Sequence, residues 1–141
     1  MALDVGEKRV GVAVSDETGT IATPRDPILR QELTQDLTRI RDLGEQLQVQ
    51  RIVVGWPLSL NGTVGPQAKR VEAFVKQLLE VVPWPVDLMD ERFSSREAER
   101  VLIEQDVRRS RRRNLVDGLA AAMILKTYLD RRRAGQERGD A

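Results

Sequence analysis

The chain contains no cysteine and no histidine. The first absence excludes a disulfide framework and any thiolate zinc site. The second removes most zinc sites, every His-based triad and the usual general base at neutral pH. Catalysis by this chain would rest on carboxylates, Lys, Ser, Thr, Tyr or Arg, and carboxylates suit hard cations such as Mg²⁺ or Mn²⁺. Aromatic residues make up only 4% of the chain, which leaves no stacking stripe of the kind single-strand binders use. Trp84, between two prolines, reads as packing, and Trp56 is left open. No apolar run reaches the roughly 18 residues of a membrane span. The N-terminus lacks the charged and apolar regions of a secretory signal. The expectation is a cytoplasmic protein without a membrane partner. An excess of one charge sign is lacking too, since the net charge is +1. Its distribution is more telling: Arg108, Arg109, Arg111, Arg112 and Arg113 crowd six positions, and Arg131, Arg132 and Arg133 follow later.

What is present fits one compact domain of 141 residues, 40% hydrophobic and 32% charged. Ala2 to Val5 and Val10 to Val14 read as strands joined by the turn Gly6-Glu7-Lys8-Arg9, a hairpin. Thr20 to Thr23 begins a third strand, which Pro24 and Pro27 should stop. Gln31 to Gln48 has helical period, with Leu33, Leu37, Ile40, Leu43 and Leu47 on one face. Arg51 to Gly55 reads as a strand buried on both faces. A loop over 56–66 leads to a second helix, Gln67 to Val82, with Val71, Phe74, Val75, Leu78 and Leu79 inward. Val86 to Met89 is a further strand. Ser94 or Ser95 caps a helix to about Gln105. The arginine run breaks the pattern, Asn114 caps a last helix from Leu115 to about Arg132, and 134–141 reads as a disordered tail after a single domain over 1–133. A meander followed by alternating helices and strands implies an α/β fold, a mixed sheet with helices packed on its faces.

Carboxylates stand at the edges of three core elements. Asp4 lies inside an apolar strand just before Gly6. Asp90 and Glu91 follow the apolar strand that begins at Val86, and strand ends of open α/β sheets face the ligand crevice. Asp117 lies among Leu115, Val116, Leu119, Ala120 and Met123. Each alone reads as a turn residue, a cap or a solvated edge. Together they are harder to dismiss.

The run Leu3-Asp4-Val5-Gly6-Glu7-Lys8-Arg9-Val10-Gly11-Val12-Ala13-Val14-Ser15-Asp16 resembles the opening of the YqgF/RuvX family. Val53-Val54-Gly55-Trp56-Pro57-Leu58 with Asn61-Gly62 looks like that family's strand and loop. Asp90-Glu91-Arg92-Phe93-Ser94-Ser95 is similar to its second acidic motif, and Val116-Asp117-Gly118-Leu119-Ala120-Ala121-Ala122 to its third. The resemblance runs in order to about Tyr128. Two departures stand out: only three residues precede Asp4, and Phe93 and Ser95 stand where Leu and Thr are expected.

The resemblance implies a ribonuclease H-like fold: a mixed five-stranded sheet, a three-strand antiparallel meander plus parallel strands, with helices on both faces. It implies a metal-dependent nuclease that processes the precursor of small-subunit ribosomal RNA or resolves Holliday junctions. Asp4, Glu91 and Asp117 would be the catalytic and metal-binding carboxylates, with Asp4 bridging, Asp90 only a neighbour, and Mn²⁺ or Mg²⁺ the cofactor. Two such ions about 3.5–4 Å apart activate a water and stabilise the leaving oxyanion. RNA or branched DNA would be the partner. Lys8 and Arg9 in the first turn, Asn61 in the loop, Arg92, and Arg108, Arg109, Arg111, Arg112 and Arg113 are candidate nucleic-acid contacts; for each, a solvated or turn role is the plainer alternative. A monomer or a homodimer is expected, and a two-fold dimer would suit a junction with matching strands. Two rival functions remain at this stage: an RNA-binding ribosome-assembly factor without catalysis, and an actin-like phosphotransferase fragment suggested by Asp4-Val5-Gly6 alone.

Overall fold

The computed structural model describes residues 1–59, 61–90 and 109–139, with backbone alone over 109–117 and 136–139. Three antiparallel strands open the chain: β1 (Ala2–Val5), β2 (Arg9–Ser15) and β3 (Ala22–Leu29). Helix α1 (Leu33–Gln46) leads to β4 (Ile52–Trp56), parallel to β1, and α2 (Pro66–Leu79) to β5 (Val86–Asp90), parallel to β4. Helix α3 (Arg109–Gly139) completes the described elements. The strand order β3-β2-β1-β4-β5 puts β1 at the centre.

Period-two alternation sorts the strands onto two unlike faces. Leu3, Val5, Val10, Val12, Ile52 and Val54 meet Leu37 and Ile40 of α1 and Val71, Phe74, Val75 and Leu78 of α2. On the reverse face, Ala2, Ala13, Val53 and Met89 meet Ala121, Ala122, Ile124 and Leu125 of α3. Large aliphatic side chains hold the two-helix face at a distance. Alanine against alanine lets α3 approach the sheet closely.

The structure departs from the sequence expectations in five places. Strand β3 passes through both prolines, because it is an edge strand with β2 as its only neighbour among the described strands. Pro24 pairs with Ala13, and Pro27 falls where the register shifts between Val10 and Val12, so neither removes a needed donor. Helix α1 buries Asp36 and Gly44 beside Leu37 and Ile40 and leaves Leu33 exposed. Leu79 is 51% exposed at the end of α2, past the stripe that faces the sheet. The arginines 109 and 111–113 do not break a helix: they lie within α3, and Asn114 is interior to it rather than its cap. Arginine is a good helix former and need not be buried to continue one. The helix also continues over 134–139, where the composition suggests a disordered tail. The expected helix from Ser94 or Ser95 to Gln105 lies outside the described residues.

Two contacts orient the helices. A Cβ built on Gly44 of α1 would stand 2.6 Å from the Trp84 ring and 3.1 Å from Val49 Cγ2, so Trp84 packs directly on the glycine backbone. On the opposite face, Asp87 Oδ2 of β5 accepts hydrogen bonds from the Tyr128 hydroxyl of α3 at 2.6 Å and from Arg51 Nη1 at 2.7 Å. The Tyr128 bond first, and Arg51 second among the favourable contacts, hold the Asp87 carboxyl below its ordinary pKa against the opposing effect of burial.

Gly44→Ala should therefore lower stability by about 1–3 kcal/mol through overpacking, although helix propensity alone favours alanine by about 1 kcal/mol; urea unfolding checks the sign. Tyr128→Phe should cost about 1 kcal/mol at pH 7. A depressed folded pKa gives stability that is present above the unfolded value, about 3.9, and lost as pH falls through the folded one. The gap between wild type and Tyr128→Phe should thus narrow below about pH 4 in denaturation curves.

Candidate active site

The carboxyl ends of β1, β4 and β5 point the same way and form one edge of the sheet. Asp4 is the third residue of β1 and pairs with Gly11 of β2. It has the parity of Ala2, so it faces the α3 side. The β1–β4 register pairs Leu3 with Val54, and one further step brings Gly55 level with Asp4. The carboxylate is thus flanked on its own face by two glycines, which bring no side chain over it. Ala2 is fully buried beneath α3, whereas Asp4 is half-buried, so the helix cover thins towards this edge.

Helix α3 reaches the same edge with its third acidic motif. A Cβ on Gly118 would stand 3.1 Å from Pro24 Cβ and 3.4 Å from the Arg25 carbonyl oxygen, so α3 rides close over β3 here. Arg25 pairs with Val12, and Val12 with Leu3, the neighbour of Asp4. Pro24 pairs with Ala13 and Ala13 with Ala2, so the backbone next to Asp117 lies level with the Ala2–Leu3 row, about two strand spacings or roughly 10 Å across the sheet. The side chains of Asp117, Arg109, Arg111, Arg112 and Arg113 are not described. Glu91, Arg92 and Arg108 lie outside the described residues. Among the described residues no group of three acidic side chains is assembled.

Asp90, paired with Trp56, has the opposite parity to Asp87 and Met89. Those two meet α3, so Asp90 sits on the reverse face from Asp4. Arg9 has the parity of Gly11 and Ala13 and shares the face of Asp4. Lys8 is exposed in the turn. That turn needs a glycine: the Gly6 amide donates to the Arg9 carbonyl at 2.8 Å, and a Cβ on Gly6 would stand 2.9 Å from the same oxygen. Asn61 is exposed, and its Oδ1 accepts the Thr63 amide at 3.1 Å, closing its own turn beside Gly62 at φ 84°.

Three long-range contacts at this edge left no signal in the sequence. Arg30 Nη1 donates to the Gly6 carbonyl at 2.9 Å and pairs with buried Asp36. Gln67 Nε2 reaches the Val5 carbonyl at 3.4 Å, and Arg70 Nη1 holds Glu7 Oε1 at 3.0 Å. Their partners lie 24 to 63 positions away in the chain, beyond any local pattern.

The half-buried Asp4 offers hard oxygen donors, in a chain without histidine or cysteine, and fits a hard divalent cation. A family model described as Holliday junction resolvase, RuvX, matches residues 1–131. Relatives named as pre-16S rRNA nucleases include that of Syntrophomonas wolfei, 47% identical over 130 residues and covering 92% of both chains. That of Symbiobacterium thermophilum is 49% identical over 132 residues, covering 94% of this chain and 92% of its own. Among solved structures, Thermus thermophilus RuvC in complex with a Holliday junction substrate superposes with a TM-score of 0.53 at 13% identity, covering 93% of this chain and 92% of its own. At that identity the likeness establishes the ribonuclease H-like fold. With the family match over nearly the whole chain and relatives at 47–49% identity across more than nine-tenths of it, the protein belongs to the RuvX family, nucleases that hydrolyse phosphodiester bonds.

Proposed function

We propose that this nuclease is divalent-metal-dependent and trims the precursor of 16S ribosomal RNA in the cytoplasm, as a single domain whose site is formed by Asp4, Glu91 and Asp117. One observation carries the metal reading: Asp4 interrupts an otherwise buried central strand, between Gly11 and Gly55, on the face where α3 brings its Asp117 segment. A carboxylate there offers two hard oxygen donors of the kind Mg²⁺ and Mn²⁺ prefer. Glu91 enters the reading through the resemblance of the Asp90-Glu91-Arg92 motif alone. The names of the relatives support the RNA substrate.

In hydrolysis a water oxygen bonds to phosphorus, the bond to one ester oxygen breaks, and that oxygen takes up a proton. Bound Mn²⁺ or Mg²⁺ would supply Lewis acidity for the attacking water and the leaving oxygen. The protein's own contribution is to hold the carboxylates on rigid elements and to place cations around the phosphate. Arg9 shares the Asp4 face, and Lys8 stands exposed in the same turn. Arg109, Arg111, Arg112 and Arg113 occupy the first turns of α3, ahead of Asp117 on the same helix. Arg92 and Arg108 complete the proposed basic rim, with Asn61 on the loop beyond β4. The family description favours a second reading, cleavage of branched DNA by the same centre.

Labelled single-stranded precursor RNA and a four-way DNA junction, incubated side by side with Mn²⁺, Mg²⁺ or chelator, test both readings. RNA should be cut with Mn²⁺ and spared with chelator. Asp4→Asn and Asp117→Asn should each lose at least about 100-fold in rate, the upper end of what disturbing a residue behind a metal ligand costs. Cutting of the junction alone selects the second reading. Retained binding without cutting of either substrate, with the acidic variants complementing a deletion strain, would make the protein an assembly factor instead. The arginines have a separate signature. Replacing Arg111, Arg112 and Arg113 together by Ala should flatten the slope of log affinity against log salt by about one per lost phosphate contact. An unchanged slope removes them from the interface.

A further inference from the structure

Asp36 is the one charged side chain buried in the core among the described residues, 1% exposed. Its Oδ1 accepts the Gln31 amide at 3.0 Å. Its Oδ2 is buried without a hydrogen bond and faces Arg30 Nε at 3.6 Å. Arg30 reaches onward from there. Its Nη1 donates to the Gly6 carbonyl at 2.9 Å, and its backbone amide donates to the Lys8 carbonyl at 2.9 Å. Its guanidinium lies 5.4 Å from the centroid of the Phe74 ring, which limits sideways movement. A line of contacts thus runs from the core of α1 through Arg30 to the turn that follows Asp4.

Stability alone does not account for this arrangement. A buried ion pair is commonly no better for stability than apolar residues of similar volume. Here one carboxylate oxygen also goes without a hydrogen bond, which costs more. What the pair does supply is direction. Arg30 is the side chain that grips the carbonyl two residues beyond Asp4, and Asp36 aims the guanidinium. Gln67 holds the intervening Val5 carbonyl more weakly, at 3.4 Å.

We infer that Arg30, aimed by Asp36, is a positioning residue for the metal centre: by fixing the Gly6 carbonyl and the Lys8 backbone it sets the Asp4 carboxylate and presents Lys8 at the same edge. The inference rests on the reading of Asp4 as a metal ligand. It assigns to the α1/α2 side of the sheet a role in a site that opens on the other side. Lysine is not an adequate substitute at position 30, because a single ammonium does not span Asp36 and the Gly6 carbonyl as a guanidinium does.

The test is a Mn²⁺ titration of the full chain followed by the EPR signal of free Mn²⁺, without nucleic acid. Wild type, Arg30→Met, Arg30→Lys and Asp36→Asn are compared, each with a melting temperature taken in chelator. Arg30→Met and Asp36→Asn should weaken Mn²⁺ binding by about 10-fold. Arg30→Lys, which keeps a charge beside Asp36, should recover the melting temperature better than the Mn²⁺ affinity. Variants that melt earlier but bind Mn²⁺ as wild type does would overturn the inference and leave a purely structural clamp, with the Asp4 reading intact. If Arg30→Met does not fold, the Lys and Asn variants decide the matter. Absence of Mn²⁺ binding by wild type itself would remove the Asp4 reading and this inference together, a different outcome from an unaffected variant.

Discussion

The structure depends on β1 being saturated. Its backbone is bonded to β2 on one side and β4 on the other, and both its faces are covered by helices. A strand in that position leaves no room for an idle polar group, because burying one without a partner costs several kilocalories per mole. Four residues long, it still carries Asp4. The neighbouring positions respond to that residue: Gly11 and Gly55 keep side chains off its face, Gly6 turns the chain immediately after it, and α3 leaves it half-buried where Ala2 is sealed.

The two faces of the sheet divide the labour. Leucine, isoleucine, valine and phenylalanine on the α1/α2 side bury most of the apolar volume and supply the hydrophobic stabilisation. The α3 side uses alanine and glycine, which contribute less area but allow a close approach. At Gly118 the helix backbone rests against Pro24 and Arg25. At Tyr128 it is tied to Asp87 and, through it, to Arg51. These two points set the course of a helix about 46 Å long. They also explain how one element carries both an acidic motif level with β1 and a basic stretch one to two turns before it.

The proposed metal centre would need its ligands on rigid supports, because small displacements cost large factors in rate. Asp4 has such a support on three sides. The strand ladder holds its backbone, α2 reaches the following carbonyl through Gln67, and α1 reaches the next through Arg30. The polar residues on the reverse face are thus part of the scaffold of the edge, although none of them shares the face of Asp4. The family match shows a nuclease, and the RuvC-like structures show its fold.

Much of this was legible in the residues alone. Alternation in 10–14, the apolar run ending at Gly55 and the helical period around Leu37 and Ile40 report burial, and burial follows from hydrophobicity at fixed spacing. The acidic motifs were legible because a carboxylate amid apolar neighbours contradicts its surroundings. Other features were decided only by tertiary structure. Pro24 and Pro27 read as strand breakers, yet they sit in a strand because its outer edge has no neighbour among the described strands. Arginines 109 and 111–113 read as a break, yet their backbone is helical, as arginine's good helix propensity allows. Asp36 carries no sign of burial in the sequence, yet it is buried, with Arg30 arriving beside it from the end of β3. Periodicity along the chain determines which residues turn inward. Which distant residues then meet depends on the order of strands and the path of helices, and that is set by the packing of the whole sheet rather than by any local run of sequence.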